Sequence, residues 1–254
     1  MQFFEKIKST KLYLVIRAIK SALNWKKTLP DHLTMEIHYP IEVAYELNLI
    51  AEKHGTDKGG INTSGTSIHR YTDFYHMLFE GKRKQLKSVL EFGIGSNDVN
   101  IPSNMGQDGV PGASLRMWRD FFPNAEVFGL DIDSKTLFQE ERIQTEYLNQ
   151  LNADEISSFL RRNGRTWDLI VDDGLHSEES VLNTIDRAIP FLSPDGYLIV
   201  EDVDEALVKK LFSWVQKHMN LQSYVVSFRE ANGRVCGGYL FVICKAEKVI
   251  HMAD

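Results

Sequence analysis

The sequence predicts an α/β domain whose mostly parallel sheet carries helices on both faces, ends in an antiparallel hairpin and follows a helical extension. Three observations carry this reading. From residue 88 onward, short apolar runs alternate with stretches of helical period, the pattern of βαβ units and a parallel sheet. The C-terminal stretch "LQSYVVSFREANGRVCGGYLFVICK" breaks that alternation, with two strand patterns joined across Asn232 and Gly233, a hairpin signal. Finally, 254 residues with 43% hydrophobic and 11% aromatic content suffice for one large core and exclude global disorder.

Taken in order, "MQFFEKIKSTKLYLVIRAIKSALNWKK" reads as an amphipathic helix, apolar residues interleaved with lysines and Arg17. It is too interrupted by charge for a signal peptide, and no small-residue cleavage site follows. Its apolar stripe is expected to pack on the domain or on a second copy, giving a homo-oligomer, a dimer first; peripheral contact with a membrane surface is the alternative. Pro30 and Pro40 bracket an irregular segment, then "IEVAYELNLIAEKHG" forms a helix that Gly55 stops, and "SIHRYTDFYHMLFEG" a second one closed by Gly81. The extension is assigned to residues 1–54 and the α/β domain to 55–254. Strands are expected at 88–95, 126–133, 143–150, 167–174 and 196–203, with helices in "ASLRMWRDFF", "ADEISSFLRRNG" and "SEESVLNTIDRAIPFL".

A formal charge of −6 argues against nucleic acid as the partner. No apolar run approaches the ~18 residues of a membrane span. The two cysteines, Cys236 and Cys244, form no metal-binding pair and no disulfide framework, so a reducing cytoplasm is the expected compartment. No GxSxG elbow supports serine hydrolase chemistry.

In an open α/β sheet, ligands bind beyond the carboxyl ends of the strands. "EFGIGS" stands there after the first strand, with Glu91, Gly93 and Gly95. The third glycine of a dinucleotide fingerprint is replaced by Asp98, and Asp131, at the end of the next strand, lies well beyond the ~20-residue spacing of that motif. The extra length is the loop "NDVNIPSNMGQDGVPGAS", of the kind that often forms a lid. A carboxylate at Asp131 suits a ribose, because it accepts from both hydroxyls.

The stretch "EFGIGSNDVNIPSNMGQDGVPGASLRMWRDFFPNAEVFGLDID" resembles the metal-dependent sugar O-methyltransferases of macrolide tailoring and their cephalosporin-hydroxylase-like relatives. The resemblance runs from "HGTDKG" to "IVEDVDE", about three fifths of the chain. It implies the Rossmann-like class I methyltransferase fold, a mostly parallel seven-stranded sheet with a terminal antiparallel hairpin, and S-adenosylmethionine as cofactor. Glu91 and Gly93 would then meet the methionine part, Asp131 the ribose, and Asn149 and Gln150 the adenine, where such relatives commonly carry an acid before Gln; Gly95 would bind the cofactor beside them. Lys58 and Tyr71, in the same region, would close over the cofactor or the acceptor.

"VDDGLHSEES" and "GYLIVEDVD" supply the remaining groups. Neighbouring parallel strands lie about 5 Å apart, so Asp173 can face Glu201 and Asp202 across one crevice, while alternation turns Asp172 away. Gathered carboxylates repel unless a cation bridges them, and hard oxygen ligands favour Mg²⁺ or Mn²⁺. His176, three residues after Asp173, suits general-base work near neutral pH. The motifs "DDGxH" and "ED" match the resembling family's metal ligands and base. The expected activity is dication-dependent methyl transfer to a hydroxyl of a glycoside, a nucleotide-linked sugar or another polar metabolite, in natural-product or surface-glycan tailoring. The rival readings are a hydroxylase component and a non-catalytic cofactor-binding partner.

Overall fold

The structure, a computed structural model, describes residues 34–39, 44–59, 69–218, 221–230 and 238–245. Residues 1–33, with the expected amphipathic helix, and 231–237, with Asn232, Gly233 and Cys236, lie outside them. In chain order the elements are β1 (Thr34–Tyr39), α1 (Glu46–His54), α2 (Tyr71–Phe79), β2 (Ser88–Phe92), α3 (Ala113–Phe121), β3 (Glu126–Asp131), β4 (Gln139–Glu140) and β5 (Ile143–Tyr147). There follow α4 (Ala153–Asn163), β6 (Trp167–Asp172), α5 (Glu178–Ala188), β7 (Leu192–Val203), α6 (Glu205–Val215), β8 (Leu221–Glu230) and β9 (Tyr239–Lys245).

Nine strands form one sheet in the order β1-β8-β9-β7-β6-β2-β3-β5-β4. The inner strands β7, β6, β2, β3 and β5 are mutually parallel, and β9 runs antiparallel to both β7 and β8. The central strands β2, β3 and β6 are largely apolar and buried because both their faces are covered. Val89, Leu169, Val171 and Ile199 join one core with Tyr75, Phe79 and Trp118 from α2 and α3. Leu90, Ile170, Leu198 and Val200 point the other way, into a second core with Ile156, Val181, Ile185 and Leu211 from α4, α5 and α6. The helix ends follow local chemistry. Gly55 and Gly164 stop α1 and α4 in the left-handed conformation, at φ +75° and +61°. Asn152, Ser177 and Asp204 cap α4, α5 and α6 through their side chains, each cap contributing about 1 kcal/mol.

Two elements extend the expected seven-stranded sheet. The segment between Pro30 and Pro40, read as irregular, contains β1, which pairs in parallel with β8 from Thr34↔Val225 to Tyr39↔Glu230. Its short alternating pattern needs that distant partner to become a strand. β4 is a two-residue antiparallel addition at the other edge. Both β1 and α1 precede residue 55, yet Ile37, Leu47 and Ala51 belong to the first core. Among the described residues, no helix is long and apolar enough to cross a membrane.

Candidate active site

β2 pairs with β3 on one side and β6 on the other, so the chain reverses its winding at β2. A cavity of about 440 Å³ opens there, beyond the carboxyl ends of the strands, in the size range of small-molecule sites. Its walls come from the loops after β2, β3, β5 and β6, together with Lys58 and Asp202.

The wall after β2 is made by glycines that the neighbouring chain requires. Gly93 has φ +82°, and a Cβ there would lie 2.2 Å from the Asp173 carbonyl oxygen. Gly95 has φ +90°, and its Cβ would meet the Met105 side chain at 2.5 Å. The close approach expected at these glycines is therefore made by the protein's own loops. Asp131 lines the cavity, with Oδ2 accepting from the Ile94 N–H and Oδ1 from the Asp133 N–H, both at 2.8 Å. Each oxygen keeps a lone pair free for a further donor. Gln150 also lines the cavity, but its amide locks the next loop: Nε2 donates to Asp172 Oδ1 and Thr184 Oγ1, and Oε1 accepts from the Leu175 N–H. Asn149 Oδ1 accepts from the Leu151 N–H. Three apolar side chains that remain exposed, Val110, Ile132 and Leu151, border the opening.

Carboxylates do gather at the strand tips, and the cation among them is Lys58. Its Nζ lies 2.5 Å from Asp173 Oδ2, 2.6 Å from Glu201 Oε2 and 3.1 Å from Glu91 Oε1. Burial pushes the ammonium's pKa down, but the combined pull of Asp173, Glu201 and Glu91 outweighs it and holds the pKa well above the ordinary lysine value. Burial raises Glu91 and Glu201, and Lys58 only partly offsets this, because one ammonium faces three carboxylates. Glu91 is fully buried beneath the cavity and also accepts from Trp118 Nε1 at 3.0 Å. Glu201 accepts from Tyr75 Oη at 2.6 Å, so both its oxygens are engaged within the protein.

Asp173 and Asp202 are different. Each has one oxygen tied inward, Asp173 Oδ2 to Lys58 and Asp202 Oδ1 to Tyr71 Oη at 2.5 Å. The other oxygens face the imidazole: His176 Nε2 is 3.8 Å from Asp173 Oδ1 and 4.0 Å from Asp202 Oδ2. One ligand atom from each of these three residues lies within 4.8 Å of the others, spacing that suits a metal ion. Both His176 and Asp202 adopt positive φ, +56° and +53°, a conformation that side chains other than glycine disfavour and that clusters at functional sites. His176 Nδ1 is buried with no hydrogen-bond partner among the described residues. The partly buried residues Asp173, His176 and Asp202, which offer carboxylate oxygens at metal-binding spacing, fit a hard dication.

The structure thus brings Asp173, His176 and Asp202 together and keeps Glu201 behind them with Lys58. Glu91 and Tyr71 do not reach the cavity wall. Tyr75 and Trp118 are core residues that also hold Glu201 and Glu91. Tyr71 and Tyr75 stand four residues apart on α2, hence on one face, and that spacing is the signal that links both hydroxyls to the strand tips.

No protein-family model matches the chain. In sequence it is 32% identical over 158 residues to mycinamicin VI 2''-O-methyltransferase of Micromonospora griseorubida, covering 62% of this chain and 36% of that protein. It is 31% identical over 154 residues to 8-demethyl-8-alpha-L-rhamnosyl tetracenomycin-C 2'-O-methyltransferase of Streptomyces olivaceus, covering 61% of this chain and 36% of that protein. The chain therefore spans little more than a third of the length of these curated relatives. Among solved structures, the MycE methyltransferase of the mycinamycin pathway in complex with Mg and SAH superposes with a TM-score of 0.59 at 24% identity, over 80% of this chain and 55% of that one. An O-methyltransferase from Bacillus cereus in complex with SAH gives 0.50 at 10% identity, over 80% and 93%. The strand order, the terminal antiparallel pair and these superpositions agree: the chain has the Rossmann-like class I methyltransferase fold, and its sequence is similar to the macrolide-type sugar O-methyltransferases.

Proposed function

We propose that the chain is an S-adenosylmethionine- and dication-dependent O-methyltransferase acting on a hydroxyl of a glycoside or similar polar metabolite, in natural-product or surface-glycan tailoring. The observation that carries this reading is the set of free donor atoms on Asp173, Asp202 and His176 at the rim of the cavity. The likeness to sugar O-methyltransferases supports the acceptor class.

Asp173 Oδ1 and Asp202 Oδ2 would hold Mg²⁺ or Mn²⁺, with Glu201, paired to Lys58 and hydrogen-bonded by Tyr75, fixing the strand tip behind them. The glycine-walled loop after β2 would meet the methionine part of the cofactor and Asp131 its ribose, and the apolar rim at Ile132 and Leu151 suits a planar base. Bound there, S-adenosylmethionine supplies an electrophilic methyl group and the dication a Lewis acid for the acceptor oxygen. His176 accepts the acceptor's hydroxyl proton at Nε2, and the walls exclude competing water. Holding both reactants in one cavity supplies much of the acceleration.

The test is incubation with S-adenosylmethionine, Mg²⁺ and a panel of deoxysugar glycosides and nucleotide-linked sugars, read by mass spectrometry. One methyl gained per acceptor is expected, abolished by a chelator that leaves S-adenosylhomocysteine binding intact by calorimetry. Transfer that continues unchanged in the chelator would refute the metal's part in it.

A further inference from the structure

Asp202 sits where its own strand does little to fix it. Its φ is positive, and the β7–β9 ladder shifts register between Val200 and Val203. Two other elements hold its carboxylate. Tyr71, the first residue of α2, donates from Oη to Oδ1 at 2.5 Å and accepts the Gly238 N–H at 3.1 Å. Gly238, just before β9, packs so closely that a Cβ there would lie 2.7 Å from Asp202 Cα, 2.8 Å from Oδ1 and 2.9 Å from Tyr71 Oη. The Tyr71 ring cannot swing aside: it is 1% exposed, stacked on His69 at 4.6 Å and tilted against Phe228 at 5.5 Å. Lys58 makes the equivalent hold on Asp173 Oδ2.

A carboxylate with one oxygen turned inward and walled off by Tyr71 and Gly238 in this way presents its other oxygen to the cavity. That distinction matters to cations. Ca²⁺ takes six to eight oxygens at about 2.3–2.6 Å and readily uses both oxygens of a carboxylate, whereas Mg²⁺ demands a near-ideal octahedron at about 2.0–2.1 Å and keeps several waters. We propose that Tyr71, with Gly238 packed beside it, is a positioning residue that restricts Asp202 to a single coordinating oxygen and so sets the site's preference for a small octahedral dication over Ca²⁺. This rests on Asp173 and Asp202 being the dication ligands, and it places Tyr71 behind the metal rather than over the cofactor.

The test uses the full chain without cofactor, with Mn²⁺ binding read from the electron paramagnetic resonance of free Mn²⁺ and Ca²⁺ binding by competition. Wild type should take one Mn²⁺ and prefer it strongly. Tyr71→Phe removes the hydroxyl's hold on Asp202 Oδ1 and leaves it, among the described residues, only the more distant His69 Nδ1, at 3.5 Å, so the Mn²⁺/Ca²⁺ affinity ratio should fall about tenfold, the lower end of what partners of metal ligands contribute. Phe228→Leu loosens packing on the same ring but keeps the hydroxyl, and should leave the ratio at wild type. Gly238→Ala keeps the hydroxyl but presses on Asp202, and should lower the ratio even if Tyr71→Phe fails to fold. A wild-type ratio in folded Tyr71→Phe, or in Gly238→Ala, overturns the positioning role alone. Wild-type protein that binds no Mn²⁺ overturns the metal site as well.

Discussion

Glu91 and Glu201 share the Lys58 ammonium with Asp173, yet they are built for a different purpose from Asp173 and Asp202. The two glutamates are buried, and each meets a second donor, Trp118 or Tyr75. The two aspartates are partly exposed, and each is held at one oxygen and open at the other. The difference separates structural charge from working charge. A buried carboxylate whose partners are all protein groups contributes field and rigidity, whereas one with an oxygen held toward a cavity has a donor to offer.

The largest effect should come from the open set. General-base removal typically costs 10²- to 10⁴-fold in rate, so His176→Ala should lower kcat by about that factor while Mn²⁺ affinity stays close to wild type. Steady-state kinetics beside a Mn²⁺ titration reads both. If affinity collapses in parallel, the imidazole is a ligand and the division of labour with the two aspartates must be redrawn.

The buried set should answer in stability instead. Lys58→Met strips the only cation that the described residues place among Glu91, Asp173 and Glu201. Breaking a buried pair from one side costs about 3–5 kcal/mol, which a urea denaturation midpoint measures. Adding Glu201→Gln should recover part of the loss, since one uncompensated buried carboxylate is gone. Adding Asp173→Asn should recover less, because the Asp173 side chain is 25% exposed and water already solvates it. Equal recovery by both would erase the distinction between the two sets.

How much of this is legible in sequence follows from where each cause resides. The inner strands announce themselves through apolar runs, and the helix stops through Gly55 and Gly164, because both causes are local. The meeting of Asp173 with Asp202 and His176 is legible too, since strand order in an α/β sheet fixes which tips are neighbours. What escapes is the identity of hydrogen-bond partners. A lysine in "GTDKG" gives no sign that its ammonium ends beneath two strand tips, and Gln150 no sign that its amide latches Asp172 and Leu175. β1 escapes for the same reason: "TMEIHY" becomes a strand only beside β8, nearly two hundred residues later.

The smallest effect sharpens the comparison from the surface. Asp120 also meets several cations: Lys53 Nζ and His54 Nε2 lie 2.8 Å from its Oδ2, and Arg119 is 3.0 Å from Oδ1. Burial pushes its pKa up, but hydrogen bonds from Lys53, His54 and Arg119 outweigh this and hold the carboxyl below the usual range. A depressed carboxyl contributes stability above its unfolded pKa, near 3.9, and loses it as pH falls through the lower folded value. Asp120→Asn should therefore cost only about 0.5–1 kcal/mol at pH 7, since solvent screens an exposed partner such as Lys53. The gap from wild type should narrow as pH falls from about 3.9 toward the lower folded value, and it should shrink in 1 M salt, where screening reaches about 3 Å. Thermal melts across pH and salt read this directly. The loss in Lys58→Met should resist the same salt, because Glu91 and Glu201 are shielded from ions by the core; a salt response as large as that at Asp120 would mean that water and ions reach these two carboxylates freely.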